Sequence, residues 1–95
     1  MELKNRIVFT GHATNLPSEG HPSDALVAYQ RARARGGAGL VVTQVSAVHP
    51  SGWHSGLMLK IFDDDAIPHY RRVAAAVHET ECRIFGQLFH PGREV

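Results

Sequence analysis

Leu40-Val41-Val42-Thr43, followed after Gln44 by Val45, is the stretch that most narrows what this chain can become. Apolar and β-branched residues in near-continuous succession leave a strand with no polar face. It therefore needs cover on both sides, as the strands of parallel sheets do. Parallel neighbours require crossover connections, and the flanking sequence supplies them. Ahead of this strand, read over residues 39–45, lies a helical pattern over 24–35, with Leu26, Tyr29 and Ala32/Arg33 at helical spacing. Ser23 or Asp24 is placed to cap that helix, and Gly36-Gly37 to end it. Ile7-Val8-Phe9-Thr10 reads as an earlier strand, and residues 11–20 as a loop rich in turn formers. Beyond a long connection over 46–62, residues 66–81 show a second helical stripe of Ile67, Tyr70, Ala74 and Val77. Arg83-Ile84-Phe85-Gly86-Gln87-Leu88 then reads as a third strand.

The order is strand, helix, strand, helix, strand, which implies right-handed crossovers in an α/β fold. Open doubly wound sheets and eightfold barrels both use this unit, and both need more strands than three. Three strands with two helices leave sheet edges unpaired, and 95 residues make a marginal core. The chain is thus expected to be one partial domain over 1–95.

Composition excludes more than it selects. A net charge of +1 offers no field for nucleic acid or an anionic membrane. No apolar run approaches the roughly 20 residues that span a bilayer. The single Cys82 cannot form an intrachain disulfide, and Met1 to Arg6 lacks the apolar core of a signal peptide. A cytoplasmic location is the expectation.

Most of the conspicuous residue groups have structural readings. Gly36-Gly37-Ala38-Gly39 follows a helix and precedes a strand, the reverse of a phosphate-cradling loop, so it reads as a helix stop. Asp63-Asp64-Asp65 sits where carboxylates cap a helix, rather than as a metal cluster. Arg31, Arg33 and Arg35, with Arg71-Arg72, read as a solvated face with no aromatic platform interleaved. Cys82 reads as a small buried residue, and His69 and His78 as helix-surface residues. The seven histidines show no zinc-type spacing. His12, His49 and His90 stand apart, because each follows the C-terminal end of a strand, the rim where βα barrels carry their sites.

Four blocks resemble a known family. They are Leu3-Lys4-Asn5-Arg6-Ile7-Val8, the run from Tyr29 to Gln44, Ser46-Ala47-Val48-His49-Pro50-Ser51-Gly52, and Gln87-Leu88-Phe89-His90-Pro91-Gly92-Arg93. In order and spacing they resemble the N-terminal part of old yellow enzyme-like NADH:flavin oxidoreductases, nearest the trimethylamine dehydrogenase and 2,4-dienoyl-CoA reductase branch. The resemblance implies the first strand–helix–strand–helix–strand portion of a TIM (β/α)8 barrel, incomplete as given. It also implies FMN as cofactor, NAD(P)H as reductant, and a small-molecule substrate with an activated C=C bond, such as an enone or enoyl group.

The resemblance carries site roles with it. Thr10, Gly11, His12 and Ala13 correspond to the segment along the flavin ring, Val45 to a small residue near a flavin carbonyl, and Gln87 to a glutamine on the pyrimidine edge. His49, His90 and Arg93 are substrate-side candidates. Ala13 replaces a frequent Cys or Thr donor, and Val45 is bulkier than the usual alanine or glycine. The phosphate loops, the substrate-anchoring residues and the proton donor lie downstream in the family, as would the cysteines of a 4Fe-4S cluster in its long branch. The remainder of the barrel is therefore an implied partner, and a homo-oligomer the implied full-length state. Two other readings are an inert truncated or assembly half, and an independent nucleotide-binding module.

Overall fold

The computed structural model describes residues 1–94. Strands β1 (Val8–Phe9), β2 (Leu40–Ala47), β3 (Leu59–Lys60) and β4 (Arg83–Phe89) form one parallel sheet. Helices α1 (Asp24–Arg35) and α2 (Ala66–Val77) supply the crossovers. β2 is the central strand. β4 runs along one of its edges, while β1 and β3 pair with its beginning and its end on the other.

β3 lies inside the long connection expected over 46–62 and is an element that the sequence pattern does not signal. Two residues of unremarkable propensity carry no strand signal. Leu59 pairs with Ser46 because β1 stops at Phe9 and leaves the far end of that edge free. β2 also runs two residues past its expected end at Val45. The second helix ends at Val77 rather than at 81, since His78 caps it and Thr80 turns back onto the Val77 carbonyl.

Both helices pack against the sheet through Val41 and its ladder partner Ile84. The buried stripe of α1 is Leu26, Val27, Gln30 and Ala34, one step round from the expected Leu26, Tyr29 and Ala32/Arg33. In α2 it is Ala66, Val73, Ala76 and Val77, and the expected Ile67 is exposed. Small alanines at the crossing let the helices approach each other, so size rather than hydropathy decides which residues turn inward. Cys82 is buried in the same cluster, as expected. Burial pushes its thiol up, against the opposing influences of Lys4 and a backbone hydrogen bond, and it packs as a small hydrophobe.

The caps follow their local chemistry. Ser23 Oγ accepts the Leu26 amide, and the positive φ of Gly37 (117°) lets the Ala38 amide turn back to the Arg33 carbonyl. Asp63 Oδ1 accepts the amide of the N-cap residue Asp65, so the acidic run shapes the entry to α2 just ahead of the helix, while Asp65 itself makes no side-chain cap bond. Among the described residues no group of three or more His, Cys, Asp or Glu is placed to hold a metal. No described helix is long and apolar enough to cross a membrane.

Arg31 and Arg35 lie on the solvated face expected of them, where they share one partner. They grip Glu79 at 3.1 and 3.0 Å, and hydrogen bonding from Arg31 leads in holding that carboxyl below its usual range. Arg33 lies 3.8 Å over the Tyr29 ring and also reaches Phe9, an aromatic platform that spacing alone did not reveal.

His69 is not a plain surface residue. Its ring stacks on His21 at 4.1 Å, and the His21 Nδ1 is buried with no hydrogen-bond partner. Burial lowers the His21 pKa first, followed by the His69 and Lys60 charges, with Asp63 and Asp65 opposing. The unfolded chain takes up this proton near 6.5, and the folded chain only at lower pH. The unfolded state therefore binds more protons through that window, and stability should fall as pH drops below about 6.5. Urea unfolding at several pH values should show a flatter acid slope for His21→Asn than for wild type. Parallel slopes would remove His21 from the account.

β2 carries one irregularity. Val42 opposes Phe85 and Val45 opposes Gln87, so three steps on β2 match two on β4. The bulge frees a backbone group, and Thr43 restores the pairing by accepting the Gln87 amide on Oγ1 at 3.2 Å.

Candidate functional site

Parallel strands bring their C-terminal ends to one rim, so the loops after β1, β2 and β4 meet there. The tightest point is Gly11, just past β1. A Cβ built on it would lie inside contact distance of the Gln87 Oε1 and 2.7 Å from the Thr43 carbonyl oxygen. The Gln87 side-chain amide therefore occupies the space that a side chain at residue 11 would need. Val45 is the ladder neighbour of Gln87 and is half-buried. The structure thus brings together Gly11, Val45 and Gln87 from three separate stretches of chain.

The rest of the first loop lies beside them. Thr10, Gly11, His12 and Ala13 are exposed. His12 Nδ1 is 2.6 Å from the Thr10 carbonyl, and its ring stacks on Phe9 at 5.0 Å, which fixes the loop's departure from β1. The amides of Gly11, His12 and Ala13 donate to no acceptor among the described residues. This part of the rim is an open strip of backbone donors beside the exposed Gln87 side-chain amide.

Two residues supporting this arrangement, Thr43 and Gln44, carry no site role in the sequence reading. Thr43 spans the bulge, donating to the Gln44 carbonyl while accepting from Gln87. Gln44 Oε1 accepts the Thr14 hydroxyl at 2.7 Å, tying the first loop to β2. Thr43 and Gln44 are buried polar residues in an otherwise apolar strand, and that is the one signal that could have found them.

The substrate-side candidates separate into two groups. His49 and His90, at the ends of β2 and β4, are joined by Ser51. Its Oγ lies 2.8 Å from His49 Nδ1 and 2.8 Å from His90 Nε2. Arg93 is not brought to them. It is 95% exposed and faces Glu94 at 3.6 Å, so nothing among the described residues fixes its position at the site. On the helix side of the rim, the Tyr70 hydroxyl bonds Ser46 Oγ, and burial pushes the phenol up, with that hydrogen bond opposing.

The sequence pattern that defines the NADH:flavin oxidoreductase / NADH oxidase family matches residues 1–95. The NADH oxidase of Thermoanaerobacter brockii is 39% identical over 94 residues, covering 97% of this chain and 14% of that protein. The N,N-dimethylglycine/sarcosine dehydrogenase of Chromohalobacter salexigens is 34% identical over 98 residues, covering 98% of this chain and again 14% of the relative. Among solved structures, the old yellow enzyme from Pichia sp. AKU4542 superposes with a TM-score of 0.88 at 25% identity. That alignment covers 98% of this chain and 24% of the Pichia chain. The present fold thus matches about a quarter of an old yellow enzyme barrel.

Proposed function

The chain belongs to the NADH:flavin oxidoreductase / NADH oxidase family, and from that premise we propose that it forms the first part of an FMN enzyme passing hydride from NAD(P)H to an activated C=C bond of a small molecule. The observation that carries this reading is the contact of Gln87 with Gly11. A side-chain amide at a strand end whose backbone is tied to Thr43, against a residue that has no side chain to obstruct it, suits the edge of a planar heterocycle.

The residues fit the flavin in kind. Gln87 would hold the pyrimidine end through its amide, the strip from Thr10 to Ala13 would lie along the ring, and Val45 would close one side. Bound FMN supplies the two-electron carrier. The chain's own contribution is to orient that ring and to place polar groups where charge accumulates on reduction. Ala13 has no side-chain donor, so on this segment Gln87 is the side chain left to tune the potential. His49 and His90 stand on the substrate side of the same rim.

A second reading, a chain inert until further strands complete its sheet, has support in the exposed Ile7, Val8, Phe85 and Leu88. The two readings are compatible, since each requires the remainder of a barrel.

The protein carrying this chain should purify yellow with FMN, and Gln87→Ala should weaken FMN binding by roughly 1–3 kcal/mol, the cost of leaving unpaired a flavin polar group that binding takes out of water. Reduction of the flavin should also become harder. A colourless protein that takes up no FMN on titration would defeat the proposal. An unchanged Kd and potential in the variant would remove Gln87 from the site.

A further inference from the structure

The cluster of His49, Ser51 and His90 contains more chemical information than proximity. Two main-chain amides settle where its hydrogens lie. The Ser51 amide donates to His49 Nδ1 at 3.1 Å, and the Gly92 amide donates to His90 Nδ1 at 2.9 Å. A backbone N–H can only donate, so both Nδ1 atoms are acceptors, and each neutral ring carries its hydrogen on Nε2. His90 Nε2–H therefore donates to Ser51 Oγ, and the Ser51 hydroxyl donates onward to His49 Nδ1.

This order cannot simply be reversed. Reversal would set a ring N–H against an amide N–H at each end of the chain. The cluster is therefore a lock on ring orientation rather than a two-way proton path. The loops are also pressed together, because Gly52 is buried and a Cβ there would lie 3.1 Å from His90 Cδ2 and 3.1 Å from Pro91 Cδ.

One hydrogen in the lock has no acceptor. His49 Nε2–H meets none among the described residues, and the ring is exposed at the rim. We propose that Ser51 and His90 hold His49 as a fixed, neutral N–H donor that binds an oxygen acceptor, a carboxylate or carbonyl, on the substrate. The assignment rests on the reading of this rim as the ligand face. It makes His49 a specificity-determining residue and Ser51 a positioning residue, whereas turn capping alone would require only the Nδ1 acceptor.

Asparagine separates the two roles. Its Oδ1 can accept the Ser51 amide as an N-cap residue does, but it offers no donor at the Nε2 position. The test uses the full-length holoprotein, with phenol and 4-hydroxybenzoate as probes that differ by one carboxylate. Calorimetric binding should show His49→Asn weakening 4-hydroxybenzoate about tenfold while leaving phenol and the thermal midpoint unchanged. In wild type, long-range 15N spectra should show both rings with hydrogen on Nε2, and the His49 Nε2 resonance should move with 4-hydroxybenzoate alone. Equal weakening of both probes, an unchanged ratio, or a His49 Nε2 resonance that moves with neither probe would overturn the proposal. Absence of flavin in the purified protein would instead defeat the proposed function, and the tautomer and binding readouts remain interpretable without it.

Discussion

Gly11→Ala is expected to be the most damaging single methyl that can be added to this rim. The new Cβ would meet the Gln87 side chain, which can swing away, and the Thr43 carbonyl at 2.7 Å, which cannot. Thr43 is buried and spans the bulge, so relief must come from moving β1 away from β2 or from displacing the loop. Overpacking of this kind costs about 1–3 kcal/mol in stability. Displacement of Gln87 should weaken FMN binding as well, making the combined loss larger than in Gln87→Ala. Chemical denaturation and FMN titration of the variant provide the check. A variant with wild-type midpoint and wild-type FMN Kd would show that the Gly11 contact has no consequence.

Residues 1–95 expressed alone should associate and should bind FMN weakly at best. Leu88 is 70% exposed and Phe85 46% on β4, and Ile7 and Val8 on the opposite side of the sheet are 60% and 44% exposed. β1 and β4 each present an edge with no partner among the described residues. These surfaces favour self-association. Ordering the rim loops for a ligand also costs conformational entropy that a small core offsets poorly. Sedimentation velocity combined with FMN fluorescence quenching measures both properties. A monodisperse monomer with submicromolar FMN affinity would mean that four strands suffice for a self-contained flavin site.

How far the fold could be read from the sequence depended on the kind of signal each element carried. The near-continuous apolar and β-branched run of β2, the Gly36-Gly37 stop and the Ser23 cap are local effects, and the structure keeps all three. β3 was invisible because its two residues pair only where β1 happens to leave an edge free. The inward faces of α1 and α2 were misjudged by about one position, because helix–helix approach selects alanine over larger apolar side chains.

At the site, Gly11 and Gln87 stood out through family resemblance, and the structure adds their contact. Thr43, Gln44 and Ser51 were passed over, since each acts on a residue distant in sequence or on a neighbouring ring. Arg93 carried the same resemblance as His90 but lacks the contacts that hold His90 in place. Ligands were never part of the local pattern, and only the meeting of three strand ends suggests where one would sit.

The bulge in β2 also constrains how this segment can vary. Ladder partners point to the same side of a sheet, and Phe85 and Gln87, two apart on β4, share a face. Val42 and Val45 therefore share that face although they are an odd number of residues apart. Losing one residue between them would give an ordinary two-residue step, with Val45 still opposite Gln87 and every later side chain on its present face. What would disappear is the bulge itself, and with it the local bend that brings the Thr43 hydroxyl under the Gln87 amide. The bulge is thus dispensable for the alternation of β2 beyond it and necessary for the Thr43–Gln87 bond, so a shortened β2 should keep its core and lose a support of the rim.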